Sequence, residues 1–122
     1  MSKNGFVAAL LLCIGVAIPG CGPSAEDAVR SFGPTWCARQ QECLPGLYAL
    51  AYPKDAEAGD GATAQCVDEI VHRLGEDKDK RSACNDDELA ACTSDVKNVS
   101  CEALTSAAFG TTSSLPSSCQ KC

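Results

Sequence analysis

Aromatic and basic residues are scarce in this chain of 122 residues. Aromatic side chains make up 5% of it, histidine occurs once, and ten Lys and Arg stand against sixteen Asp and Glu, for a formal charge of −6. Nucleic acid is therefore excluded as a partner, because phosphate backbones require clustered cations and no basic run here exceeds two residues. The length allows one small domain.

The chain also lacks an apolar run long enough to cross a membrane. Its longest uncharged apolar stretch, residues 6–18, covers thirteen residues. As a helix that stretch would span about 20 Å, against a hydrocarbon core of about 30 Å. Lys3 precedes the stretch and Pro19-Gly20 end it, which is the pattern of a signal peptide. We therefore predict that residues 1–20 form a signal peptide that is removed.

The exit from this segment reads Ile18-Pro19-Gly20-Cys21. It resembles the lipobox of bacterial lipoproteins, in which an aliphatic residue stands three positions before the cysteine that becomes diacylated and a small residue stands directly before it. Pro19 departs from that pattern.

The resemblance implies a lipid of palmitate type on Cys21, with residues 21–24 as a short tether and the membrane as a partner through the lipid. Gly22 follows the cysteine where Asp would signal retention in the inner membrane, so we expect an outer-membrane lipoprotein of the cell envelope. The alternative is an ordinary secreted protein.

Cysteine, in contrast, is abundant. Ten occur in the chain, about 8% of its residues, which is typical of a disulfide scaffold in an exported protein. Cys13 leaves with the signal peptide, and a lipid on Cys21 leaves an even set that can form four disulfides, whereas a free Cys21 would leave nine. The eight cysteines predicted to pair, in any of 105 ways, are Cys37, Cys43, Cys66, Cys84, Cys92, Cys101, Cys119 and Cys122.

Helical periodicity dominates the chain after the signal peptide. Ser24 is predicted to cap a helix that begins at Ala25, whose apolar residues stay on one arc as far as Leu44. The Gly33-Pro34 pair predicts a kink or a restart within it.

The spacing of two cysteines restricts their pairing. Cys37 and Cys43 lie six residues apart on this helix, about 9 Å or more between Cα atoms, and a disulfide spans at most about 7 Å. Each is therefore predicted to bridge to another segment.

Weaker elements come next in the sequence. Residues 47–52 predict a short apolar turn or half-helix closed by Pro53, and the acidic residues 54–62 predict an exposed loop. Thr63 is a candidate cap for a strongly amphipathic helix that Gly75 ends.

Two helices are predicted in the last third of the chain. Asn85 and Glu88 have the spacing of a capping box, and Ser100 can cap a further helix. No alternating apolar stretch is long enough to predict a strand. Residues 25–122 are therefore predicted to form a single all-α domain, a small disulfide-stapled bundle of three to four short helices.

The order of cysteines in this domain resembles that of small cysteine-rich lipoproteins of myxobacteria and their relatives. The resemblance rests on the cysteine spacings 37-x5-43, 84-x7-92-x8-101 and 119-x2-122 and on a few flanking residues. It implies a helical disulfide domain on a lipid anchor. Some of these relatives are linked by gene neighbourhood to natural-product biosynthesis, and no catalytic residue or ligand follows from the resemblance.

Motifs that could support chemistry are few. His72 is predicted to be solvated and weakly paired with Asp68, one turn away. Cys119-x2-Cys122 has the spacing of a redox pair, but it stands at the end of the chain and not at the start of a helix after a strand. We expect structural pairing of both cysteines.

A calcium loop is also suggested by spacing alone. Asp77, Asp79, Asn85 and Glu88 fall on ligand positions of an EF-hand, but Ser82 stands where glycine is required. No metal and no cofactor is therefore predicted.

One cluster combines aromatic and acidic residues. Tyr48 and Tyr52 lie one turn apart and are followed by Asp55, Glu57 and Asp60, which together form a possible partner surface. The alternative is that both tyrosines pack in the core.

These patterns favour a non-enzymatic, lipid-anchored envelope protein with a structural or recognition role. The first alternative is a tethered modulator or accessory, inhibitor or carrier-like, in metabolite handling. The second is an envelope thiol oxidoreductase that uses Cys119 and Cys122.

Overall fold

The computed structural model describes residues 22–59, 61–108, 116–120 and 122, so the predicted signal peptide and Cys21 lie outside the described residues. The described residues form six α-helices and two short 3-10 helices, without a β-strand among them. The predicted all-α fold stapled by disulfides is thereby confirmed, with six helices where three to four were expected.

The first helix, α1, spans Ala25–Cys43 and passes through Pro34 without a break. Ser24 caps it as predicted, because its Oγ accepts a hydrogen bond of 3.1 Å from the backbone N–H of Asp27. A restart at Pro34 does not occur. The backbone donor that proline lacks lies on the exposed side of the helix, while Phe32 and Trp36 on either side are buried and hold both halves in place.

The two additional helices both begin at a proline. They are α2, Pro45–Ala51, and α3, Pro53–Ala58. The half-helix predicted to close at Pro53 is present as α2, but the loop predicted for residues 54–62 is wrong as far as Ala58, because α3 occupies this part. Proline suits the first position of a helix, where its missing N–H is not needed and its fixed φ is already helical.

Helix α4 spans Ala64–Leu74 and is amphipathic as predicted, with Cys66, Val67 and Val71 buried. Gly75 ends it with a φ of 55°, a left-handed conformation that favours glycine. A 3-10 helix, Gly75–Asp79, continues the chain.

Helix α5, Asp86–Lys97, begins with the predicted capping box. The side chain of Asn85 accepts from the N–H of Glu88 at 2.8 Å, and the carboxylate of Glu88 accepts from the N–H of Asn85 at 3.1 Å. Helix α6, Cys101–Ala108, is capped by the Oγ of Ser100. The last element is a 3-10 helix, Ser117–Cys119.

The core lies where α1 packs against α4 and α5. Gly33 permits close approach to α4, since a methyl group there would lie 3.3 Å from Cγ2 of Val67. The largest side chains with less than 2% exposure among the described residues are mostly half-cystines: Val96, Cys37, Cys66, Cys84 and Cys92. Disulfides therefore occupy positions that large apolar side chains fill in most domains.

Four disulfides connect segments distant in sequence. Cys37–Cys66 joins α1 to α4, Cys43–Cys101 joins the end of α1 to the start of α6, Cys92–Cys119 joins α5 to the last 3-10 helix, and Cys84–Cys122 ties down the C-terminus. The predicted exclusion of a Cys37–Cys43 bond is confirmed.

The residues just before α1 are also held. Pro23 O accepts from the N–H of Ser82 at 2.8 Å, the N–H of Ala25 donates to Lys80 O at 2.8 Å, and an antiparallel bridge pairs Ser24 with Arg81. We call residues 22–25 and 80–84 the anchor end of the molecule. The C-terminal end of α1, with α2 and α3, is the distal end.

Candidate functional site

The aromatic and acidic cluster lies at the distal end, largely inside the molecule. Tyr48 on α2 is 3% exposed and Asp55 on α3 is 2% exposed. The hydroxyl of Tyr48 donates to Oδ2 of Asp55 at 2.9 Å. Tyr52 is half-buried, and its ring centroid lies 4.9 Å from that of Tyr48 at an angle of 55°.

Asp55 also caps a helix that belongs to a later segment. The backbone N–H of Gln65 donates to Oδ1 at 2.9 Å and that of Cys66 donates to Oδ2 at 3.0 Å. These are N–H groups of the first turn of α4, which lack partners within the helix. Thr63 was the predicted cap, but within the described chain its side chain accepts no capping bond.

The Tyr48–Asp55 contact changes the acid–base behaviour of the phenol. Burial and the hydrogen bond to the carboxylate raise the pKa of Tyr48 well above its ordinary value. The phenol therefore stays a neutral donor, as the buried carboxylate of Asp55 requires.

The predicted partner surface is consequently wrong for Tyr48 and Asp55, which the solvent does not reach. Core packing, the alternative, describes Tyr48, which is buried, whereas Tyr52, the residue just after α2, is half-buried with its ring tilted against that of Tyr48. Glu57 is exposed on α3, and Asp60 lies outside the described residues.

The exposed side of α2 is apolar instead. Leu47 is 52% exposed and Leu50 is 82% exposed, and these are the large apolar side chains that the described residues leave in solvent. They lie three positions apart on α2, and Leu47 lines a hollow together with Tyr48 while Leu50 is the more exposed of the two. The sequence analysis missed them, although the i, i+3 spacing of the leucines beside the i, i+4 spacing of the tyrosines was a signal for two faces.

Two hollows flank this region. A small one of about 160 Å³ lies between α1 and α2 and is lined in part by Leu44, Leu47 and Tyr52. A wider, open groove of about 700 Å³ runs beside α1 and includes Thr35, Arg39 and Lys97 in its lining.

Arg39 is held in place within that groove. Its guanidinium donates to the carboxylate of Glu42 and to the backbone carbonyl of Val99, so it links α1 to the segment before α6. Its side chain is 22% exposed. The guanidinium is thus a structural cross-link with one side toward the groove.

The remaining chemical motifs lie apart from this region. His72 is exposed on α4, and Asp68, its predicted partner, forms an ion pair of 3.2 Å with Arg30 of α1. Cys119 and Cys122 are bonded to Cys92 and Cys84 and not to each other, as structural pairing predicts.

The part of the chain that the structure describes shows neither a metal centre nor a membrane-spanning helix. Across the described residues, no three His, Cys, Asp or Glu side chains are grouped as metal ligands. No described helix combines the length and the apolar character that a membrane crossing needs.

The chain matches no protein-family model, no curated protein and no solved structure.

Proposed function

We propose that this protein is a non-enzymatic, lipid-anchored component of a bacterial cell envelope, with a structural or recognition role. The observation that carries the proposal is the complete pairing of the eight cysteines from Cys37 to Cys122 in four disulfides. Such pairing leaves none of these thiols as a partner for Cys21 once the signal peptide is removed. The lipobox-like sequence before Cys21 marks this cysteine for lipidation, which would consume its thiol.

The disulfides also bear on the alternative of a thiol oxidoreductase. A redox pair exchanges electrons by opening and closing a bond between its own two cysteines. The partners of Cys119 and Cys122 are Cys92 and Cys84, and Cys119 and Cys84 are buried. This arrangement favours a structural role for both bonds over a catalytic one.

A specific observation supports recognition over a purely structural role. Leu47 and Leu50 project from α2, while the other large apolar side chains among the described residues are at least partly covered. Exposed apolar side chains that are grouped are a feature of protein interaction sites. The modulator alternative relies on the same surface and differs only in what the partner does.

The experiment that tests the anchor is expression in a lipoprotein-processing bacterium, followed by membrane fractionation and mass spectrometry of the intact chain. The wild type should sediment with outer membranes and carry the mass of three acyl chains. Cys21→Ala should lose that mass and leave the membrane fraction or accumulate as the precursor.

Cys13→Ala is the matched control, because it removes a cysteine from the predicted signal peptide and leaves Cys21 in place. It should behave as the wild type does. A wild-type protein that sediments with membranes without any acyl mass would contradict the proposal.

A further inference from the structure

At the anchor end, the predicted lipid and the folded domain are joined without a flexible linker. Pro23 and Ala25 each make a backbone hydrogen bond of 2.8 Å to the segment 80–82. Gly22 is therefore fixed, and one peptide unit, about 3.8 Å between Cα atoms, separates it from the residue that would carry the lipid. No flexible linker of several residues therefore separates the lipidated residue from the folded domain.

The fit around Gly22 is tight enough to require glycine. A Cβ atom at this position would lie 2.1 Å from the carbonyl oxygen of Cys84 and 2.6 Å from that of Ser82. Both contacts are to backbone, which cannot turn away as a flexible side chain does. Cys84 is fixed in addition by its disulfide to Cys122.

Exposed side chains of both charges lie in and just before the segment that pairs with residues 22–25. Lys80 and Arg81 belong to the paired segment 80–82 and Lys78 precedes it, and the carboxylates of Glu76, Asp77 and Asp79 alternate with them along the chain. Lys80 forms an ion pair of 2.7 Å with Asp77, and Arg81 directs Nη1 toward the carbonyl of Gly22 at 3.5 Å. Long basic side chains beside a membrane interact favourably with phosphate headgroups.

We propose that the anchor end rests directly on the headgroups of the bilayer that holds the Cys21 lipid, with Lys78, Lys80 and Arg81 among the phosphates. This inference rests on the proposed lipid anchor and adds a membrane-facing surface to it. It also assigns the distal end an outward position, since the 19 residues of α1 extend up to about 27 Å from the anchor end. Leu47 and Leu50 are then presented to partners and not to the bilayer.

The lysines of the protein report on this orientation. The lipidated protein is reconstituted in vesicles of phosphatidylethanolamine and phosphatidylglycerol and treated with a bulky amine reagent that does not cross membranes. A released form, Cys21→Ala exported with an ordinary secretory signal, is treated in parallel. Modification at each lysine is then measured by mass spectrometry after reduction and digestion.

Lys78 and Lys80 should react several-fold more slowly in the anchored protein than in the released one. Lys54 on α3 and Lys97 at the end of α5 should react equally in both, because they are exposed and remote from the anchor end. Equal rates at all four lysines, or slowing at Lys54 instead, would overturn the inference. Acyl mass on the wild type is measured on the same sample, so loss of the lipid, which defeats the proposed function, is distinguished from a wrong orientation.

A substitution tests whether the fixed position of Gly22 holds the lysines at the membrane surface. Gly22→Ala should displace the paired segment and restore much of the reactivity of Lys78 and Lys80 while the lipid remains. Gly46→Ala is the matched control, because a Cβ there has no atom within 4 Å, and it should keep the wild-type pattern. Should Gly22→Ala fail to fold, the anchored and released wild-type rates alone decide.

Discussion

The two ends of α1 differ in the contacts that surround them. At the anchor end, backbone groups of residues 22–25 pair with the segment 80–82, and the space at Gly22 admits no side chain. At the distal end, the interior is just as closely satisfied, with Asp55 accepting three hydrogen bonds, but the outer surface carries Leu47 and Leu50 in solvent.

The two kinds of contact have different consequences, since one fixes a chain segment and the other leaves apolar side chains exposed. Backbone pairing and a glycine contact fix the position of a chain segment and offer little to a partner, because their polar groups are already used. Leu50 is 82% exposed and Leu47 is 52% exposed, so most of the apolar surface of Leu50 and about half of that of Leu47 stay available for association. The described part of the domain thus has one end whose backbone groups are paired and another end that exposes apolar side chains.

Reduction is the largest perturbation, because it acts on both ends at once. Four disulfides at about 2–4 kcal/mol each are comparable with the whole stability of a domain, about 5–15 kcal/mol. We expect dithiothreitol to abolish the helical circular dichroism and EDTA to leave it unchanged. Helicity that survives complete reduction, verified by thiol counting, would show that the apolar core suffices.

Asp55→Ala is expected to be the strongest single change at the distal end. It leaves the N–H groups of Gln65 and Cys66 without an acceptor, and it leaves the hydroxyl of Tyr48 with the carbonyl of Ala62 alone, at 3.3 Å. Each buried, unpaired group costs about 1–3 kcal/mol, so the free energy of unfolding should fall by about 3 kcal/mol in urea denaturation.

The control is Glu57→Ala on the same helix, because Glu57 is exposed. Its effect should stay within about 0.5 kcal/mol. Similar losses for the two variants would mean that α3 and not the carboxylate supports α4.

Alkaline pH should weaken the same cluster. The pKa of Tyr48 is raised in the folded state by burial and by Asp55, whereas the unfolded phenol ionises near its ordinary value of about 10. The stabilisation from the neutral phenol is therefore fully present below about pH 10 and is lost progressively as the pH rises above that value. Urea unfolding between pH 8 and 11 measures it.

Tyr48→Phe supplies the comparison, since it removes the ionisable group and keeps the ring. It should be less stable than the wild type at pH 8, and the gap should narrow above pH 10. Parallel curves for the two proteins would exclude a role of the phenol in the pH dependence.

The sequence was sufficient to predict the features that depend on a few neighbouring residues, such as helix caps and helix ends. The cap at Ser24, the capping box of Asn85 and Glu88 and the stop at Gly75 each follow from residues within one turn of the helix end. The excluded Cys37–Cys43 bond follows from helix geometry in the same way. Lipidation of Cys21 stays a prediction.

What the sequence could not provide depends on contacts between segments. Asp55 replaces Thr63 as the cap of α4 only because α3 folds back against it, and no local pattern encodes that. The four pairings among 105 depend likewise on packing. The prolines at 45 and 53 were ambiguous, since a proline can follow one helix and begin the next.

The smallest effect on stability is expected at the outer face of the distal end. Leu50 is 82% exposed, so Leu50→Lys removes little buried area and should change the free energy of unfolding by no more than about 0.5 kcal/mol. Val96→Ala, at a fully buried position of α5, is the matched core change and should cost more. If Leu50 belongs to an interaction surface, Leu50→Lys should nevertheless lose a partner that the wild type captures from envelope extract, while Glu57→Ala keeps it. A large loss of stability from Leu50→Lys would show instead that α2 depends on this leucine for its own fold, and the contrast between the two ends would then disappear.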